Sequence, residues 1–399
     1  MRELMKKLEK PAYYLSLLFV FLIFLNFRDI PDRYAVLGAI ACCMFYLVKQ
    51  KKIRMDINVV FLFFSIAIYG RMLGYGTIDY LMDAVLVSAF MVFGKYLMLE
   101  SKNELESFLP GGIFLIGYSL YGLLNYINYY FNKFELWGIS EWLDIWTGNY
   151  VLATQHCLYI MPLLAVMLPA VVYFRKYKAI CGITIITDIF FLFHSLSTLS
   201  RTPIMAFVVL VAWGMLLVLI FNRNNKQLMK ITRWTIIVGG VASALFLLLN
   251  WGWIQDIPFV QNMGKDGGIL NNIRFRAQRS VLMQMFDYPM GNPEMYTEGM
   301  KFVHNVWLDM AKKAGLIPFS LLTVYTVISL IQVIKLLKSN VKQEQKFLLS
   351  GMYFAFILYY MVEPALDANV RYIVPWTFIN GLIAGCNHKD FMKEKGENC

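Results

Sequence analysis

Apolar residues along this chain fall into long runs separated by short polar breaks. A run of about 17–25 apolar residues, wound as a helix, is long enough to cross a bilayer. Twelve such stretches can be read, near 11–27, 34–48, 57–73, 78–99, 108–131, 151–174, 178–198, 203–221, 234–250, 315–337, 347–362 and 370–386. The second, eleventh and twelfth are short or interrupted. The pattern predicts an all-α polytopic membrane protein of about 12 transmembrane helices, with one larger extracytoplasmic loop containing short helices. Its parts are residues 1–250 with helices 1–9, the loop 251–314, and 315–399 with helices 10–12 and a tail. No small-residue cleavage site follows the first run, so it is expected to remain as a span.

The polar stretches carry a finer pattern. Residues 271–286 read as a helix, with Arg276 and Arg279 on one face beside Asn272 and with Arg274 pointing away from that pair. Asp287-Tyr288-Pro289-Met290-Gly291-Asn292-Pro293 holds helix-stop and turn signals. Val303, Val306, Trp307 and Met310 then form a short apolar stripe. That predicts an amphipathic helix lying on the outer membrane surface, with His304 at its start. A second outer loop, 132–150, carries Trp137, Trp142 and Trp146. These fit an interfacial aromatic belt, with sugar stacking as the alternative.

Charge turns this pattern into a topology. Of 399 residues 59% are hydrophobic and 16% charged, a balance foreign to soluble domains. The net charge is +11. With the N-terminus cytoplasmic, the inner segments collect most of the lysines, and the short outer loops carry only Arg28, Arg33, Arg71, Lys133, Arg201 and Arg371. This asymmetry obeys the positive-inside rule and puts both termini in the cytoplasm. The basic balance therefore reports topology and does not point to nucleic acid. The outer cations are mostly arginines, the better bidentate partners for phosphate oxygens. The cysteines (Cys42, Cys43, Cys157, Cys181, Cys386, Cys399) form neither a disulfide framework nor a zinc-spaced set.

Most unusual polar groups converge on the outer side. His156 and His194 lie near the outer ends of their spans, His304 is in the large loop, and Arg201 joins two spans. Glu363, Asp367 and Arg371 share another outer turn. Ionisable groups at span edges are costly and are functional candidates. Each also has a plainer reading: Glu363 and Asp367 as partners of Arg371, His156 and His194 as interhelical hydrogen-bonding groups. There is no Asp-x-Asp pair, phosphate loop or HExxH motif, so neither a metal nor another cofactor is expected.

Histidine beside arginines at a membrane surface suits transfer of a sugar from a lipid diphosphate. Such a leaving group needs positive charge more than acid catalysis, and arginines supply that without a metal. The attacking hydroxyl needs a base, a role that histidine fills near neutrality. His304 with Arg201, Arg276 and Arg279 has this inventory.

These residues resemble the bacterial O-antigen polymerase/ligase family. Thr198-Leu199-Ser200-Arg201 is similar to the family's Ser-x-Ser-Arg turn. An arginine-bearing helix is followed by Pro289-x-Gly291, and His304-Asn305 is followed nine residues later by Gly315. The likeness covers roughly residue 178 to the C-terminus. Thr198 replaces the first serine, and Pro318 stands where ligases often have a small residue or tyrosine.

The resemblance implies a multi-pass protein of the bacterial plasma membrane. It would join undecaprenyl-diphosphate-linked oligosaccharide repeat units at the outer face, by an inverting, metal-independent transfer. His304 would be catalytic. Arg201, Arg276, Arg279 and Arg274 would be diphosphate ligands, the last three competing for one role. Ser200, Asn305, His194, Glu363 and Arg371 would be supporting residues. Expected partners are the lipid-linked substrate, the bilayer, a chain-length regulator and other polysaccharide-assembly proteins. A ligase moving finished glycan to a surface acceptor is the nearest alternative. A lipid-oligosaccharide flippase, using Asp188 near mid-membrane, and a membrane scaffold are the others.

Overall fold

Long apolar runs give long helices because an α-helix satisfies its own backbone hydrogen bonds wherever water is scarce. The computed structural model describes residues 2–30, 32–50, 56–133, 141–173, 202–221 and 273–394, with a few isolated positions between them. Five helices precede a hairpin: α1 (Arg2–Phe24), α2 (Asp32–Gln50), α3 (Ile57–Met72), α4 (Thr77–Glu100) and α5 (Glu104–Lys133). Strands β1 (Glu141–Leu143) and β2 (Tyr150–Leu152) lead to α6 (Ala153–Tyr173) and α7 (Thr202–Phe221). Then come α8 (Ile273–Gln284), α9 (Val306–Ala314), α10 (Leu316–Lys338), α11 (Gln343–Val362), the single-turn α12 (Ala365–Ala368) and α13 (Val374–Glu394).

Ten of the twelve apolar stretches coincide with helices; 178–198 and 234–250 lie outside the described residues. Among the described residues four helices are long and apolar enough to cross a membrane: α4, α5, α10 and α11. Shorter apolar helical stretches are Lys10–Phe24, Arg33–Tyr46, Ile57–Met72, Cys157–Val166 and Ala206–Phe221.

The chain divides into two units. One comprises Met1–Tyr121 with Ile273–Cys399, the other Gly122–Asn272. In the first, α4 and α13 pack along most of their lengths. Small residues allow this. A Cβ on Gly94 would stand 2.5 Å from the Phe378 carbonyl oxygen, and one on Gly385 would stand 2.7 Å from that of Lys95. Gly381, one turn before Gly385, faces the Met91 carbonyl. Gly381-x-x-x-Gly385 is thus the small-residue spacing that lets helix backbones touch. Phe24, Phe90, Phe93, Phe114 and Phe378 fill the adjoining core. By contrast, α10 exposes Val324, Val327, Leu330, Ile331 and Ile334 along one side.

The second unit contains an element that hydropathy does not announce. β1 and β2 pair antiparallel, with Trp142 opposite Val151. The turn between them is built by Asp144, whose Oδ1 accepts from the amides of Trp146 and Thr147, both at 2.8 Å. Gly148 supplies the left-handed residue (φ 69°). Trp142 is fully buried against Tyr126 and Tyr129, each with its ring centroid 5.0 Å away. Trp142 therefore serves a protein core; Trp137 lies outside the described residues.

The large loop differs from expectation in one helix. The stripe Val306, Met310 does not rest on a membrane surface: α9 is buried on most sides, with Val306, Met310, Ala311 and even Asp309 and Lys312 enclosed. It packs against α3 and α10. Trp307 Nε1 donates to Thr326 Oγ1 at 3.0 Å, and Ser65 Oγ donates to the Pro318 carbonyl at 2.9 Å. Buried partners for Asp309 and Lys312 permit this inward placement, which a hydrophobic stripe alone would not reveal.

Candidate functional site

The segment Val303-His304-Asn305 is shaped by the helix that follows it. Asn305 is the N-cap of α9: its Oδ1 accepts from the Leu308 amide at 3.1 Å, satisfying a helix-end donor. Asp309, one turn on, reaches back. Its Oδ1 accepts from the Val303 amide at 2.6 Å and its Oδ2 from the Asn305 amide at 3.2 Å. One carboxylate thus holds the residues on both sides of His304, and it is 1% exposed. Between these two bonds His304 takes a left-handed backbone (φ 57°). That region is uncommon for a residue with a Cβ, and such strain persists only where the surroundings impose it.

The side chain is held as well. His304 Nδ1 lies 3.4 Å from Glu363 Oε2, and Glu363 Oε1 accepts from Arg274 Nη1 at 3.0 Å. Glu363 is 1% exposed, whereas the His304 side chain keeps 17% and that of Arg274 31%. An ionised carboxylate only accepts, so Nδ1 is the donor in this contact and Nε2 is the ring nitrogen that Glu363 does not engage. Gln278, one turn after Arg274 on α8, donates to the His304 carbonyl at 3.0 Å and to that of Met361 at 3.3 Å. The site is therefore assembled from α8, the turn before α9 and the C-terminal end of α11.

Two glycines lock the frame. The Leu316 amide donates to the Pro289 carbonyl at 2.8 Å, and the Asn292 amide to the Lys312 carbonyl at 2.7 Å. A Cβ on Gly291 (φ 81°) would come within 2.8 Å of the Ala314 and Gly315 nitrogens. One on Gly315 (φ 87°) would strike the Pro289 carbonyl. The Pro289-x-Gly291 turn and Gly315 are thus two halves of one contact, which fixes the spacing between the histidine and α10.

Of the arginines, Arg274 reaches the histidine's partner. Ala277, Gln278 and Val281 share its face, and Ala277 and Val281 are fully buried. Arg276 and Arg279 point the other way. Arg276 is 55% exposed and lies 3.7 Å from Glu298; Arg279 is exposed. Arg371 sits elsewhere, donating to Asp29 Oδ1 at 3.0 Å and to the Ile30 carbonyl at 2.9 Å. Glu363 thus meets Arg274 and His304, and Arg371 meets Asp29. Arg201, Ser200, His194 and Asp188 lie outside the described residues, and the side chains of His156 and Asp367 are not described.

Sequence reasoning passed over Asp309 and Gln278. Asp309 four residues after an N-cap asparagine was the available signal, as was Gln278 one turn from Arg274. Among the described residues no three His, Cys, Asp or Glu side chains gather as a metal site requires. No protein-family model matches the chain and no curated protein matches it in sequence, so the resemblance to the O-antigen polymerase/ligase family stands on the motifs themselves.

Proposed function

We propose that this chain is a bacterial plasma-membrane polymerase that joins undecaprenyl-diphosphate-linked repeat units at the outer face. It has twelve spans in this reading and both termini in the cytoplasm. The contacts between helix ends support that sidedness. Ends assigned inward meet each other, as in Lys95–Asp56, Lys342–Glu104 and Lys389–Ser101. Ends assigned outward do likewise, as in Arg371–Asp29 and Arg274–Glu363.

The observation that carries the reading is His304, strained in its backbone, with Nδ1 turned to the buried carboxylate of Glu363. In the reaction, the acceptor hydroxyl oxygen bonds to the anomeric carbon of the donor sugar as that carbon's bond to the diphosphate oxygen breaks. The electron pair leaves with the diphosphate and the hydroxyl proton passes to His304 Nε2. Glu363 stabilises the imidazolium so formed. The arginines of α8, of which Arg274 reaches the histidine's own partner, receive the diphosphate charge.

The test is the size of lipid-carrier-linked glycan in cells lacking the protein. Single repeat units accumulating on the outer leaflet are expected. Full-length polymer stranded on the carrier means a ligase, and single units held on the inner leaflet mean a flippase.

A further inference from the structure

The inward face of α8 builds the site, but its outward face also has a pattern. Phe275, Arg279 and Leu282 follow one another at spacings of four and three residues, which places them on a single stripe of α8, and Phe286 follows in the turn just after it. Met283 and Arg276 flank it. Phe275 is 46% exposed, Leu282 51%, Met283 62% and Phe286 68%. A soluble face would not gather four large apolar side chains around arginines, and no acidic residue occurs within α8.

We propose that this stripe is seated in the outer leaflet of the membrane, at the boundary between acyl chains and phosphate headgroups. The surface-lying role that periodicity assigns to α9 belongs on this account to α8. Two observations select a phosphate-bearing lipid surface as the occupant. First, the charge complements it: Arg279 has no hydrogen-bond or ion-pair partner among the described residues, and Arg276 has only the 3.7 Å contact to Glu298. Cations set among apolar side chains are the composition of interfacial helices. Second, the depth matches. Arg274, on the opposite face, donates to the Val362 carbonyl at 3.2 Å and pairs with Glu363, at the very end of α11. α11 is one of the four helices long and apolar enough to span a bilayer. The first turns of α8 are thus fastened at that end, where hydrocarbon gives way to headgroups.

This inference rests on the membrane-embedded reading above and deepens it: the arginines of α8 would wait at the depth of a lipid's own phosphates. A lipid-linked donor then reaches them by lateral diffusion, without leaving the leaflet.

The test uses the full-length protein with its native cysteines replaced, in phosphatidylglycerol vesicles. A single cysteine, introduced as Phe286→Cys or Met283→Cys, carries a bimane label. Lipids brominated near the headgroup end of the acyl chain are expected to quench either label at least twofold, while aqueous iodide quenches little. Arg276→Gln with Arg279→Gln is expected to weaken the lipid quenching. Quenching by iodide but not by bromolipid would overturn the proposal in favour of a water-facing stripe. Quenching by neither would overturn it in favour of a protein cover, such as a second copy. No glycan is needed for the measurement, so its failure and that of the polymerase reading are separate events.

Discussion

The two ends of the helices in the first unit handle charge differently. Where α10 turns into α11, the charges are lysines at the rim: Lys342 pairs with Glu104, and both side chains are more than half exposed. Where α11 ends, a carboxylate is 1% exposed and shared by an arginine and a histidine, and the histidine's own backbone is left-handed. The lysine end encloses charge too, but each amine there has a plain structural partner, Lys95 in Asp56 and Lys346 in the Leu337 carbonyl, and no described non-glycine residue there has a left-handed backbone. The other end sets one buried carboxylate between two cationic side chains and stores strain, which folding alone does not require. Between them the α4–α13 contact is glycine against backbone and apolar. Stability and chemistry are thus built from different materials in one unit.

The largest break in this comparison is His304→Ala. Loss of a general base lowers turnover by about 10²–10⁴. The variant should insert and run as the wild type does in size-exclusion chromatography, because alanine keeps the Cβ and leaves the backbone strain as it is, and Glu363 keeps its pair with Arg274. Retention of full polymer ladders in this variant removes His304 from the mechanism.

Glu363→Gln comes next and disturbs both partners at once. An amide can present its NH2 to Nδ1, which turns the imidazole to the wrong tautomer for a base at Nε2. We expect turnover to fall by about 10–100-fold, as when the group orienting a histidine is replaced. Stability falls too. Breaking a fully buried pair costs ~3–5 kcal/mol. Arg274 keeps about a third of its side chain in solvent, and screening brings the loss toward ~1–3 kcal/mol. A thermal melt and a turnover assay on the same preparation check both parts.

Asp309→Asn has a smaller effect of a more specific kind. The carboxylate holds two amides, and an amide side chain can keep only one of them. The weakened frame should lower kcat about tenfold, equivalent to ~1.4 kcal/mol, with KM unchanged. The decisive comparison is additivity. If Asp309 acts through His304, the same substitution costs no further activity in the His304→Ala background. Full additivity would make Asp309 a structural residue only.

How much of this was legible in the chain differs between the two ends. Helices follow from apolar runs, so ten of the runs coincide with helices. Their polar extensions do not follow in that way. α11 begins at Gln343 because Lys346, nearly buried, turns its amine to the Leu337 carbonyl and Gln345 is enclosed beside it. Hydropathy counts both residues as loop. At the other end, the helical wheel separated Arg274 from Arg276 and Arg279. It could not say which side faces the histidine, because that depends on Glu363, 89 residues away. The buried neighbours Ala277 and Val281 on the Arg274 side were the only local hint.

The smallest effect belongs to the exposed pair. The hydrogen bond that the Lys342 amine donates to Glu104 raises that amine above the usual lysine range. A raised folded-state value means that its stabilisation is fully present below the ordinary lysine range and is lost as pH rises through the raised one. At neutral pH the interaction is therefore at full strength. Yet both groups stand in solvent, where salt screens them and long side chains must be ordered to meet. Glu104→Gln should leave the melting temperature unchanged within error at pH 7 and should leave glycan length as in the wild type. A shift as large as that of Glu363→Gln would erase the distinction between the two ends, because it would show that exposed and buried charges carry equal weight in this fold.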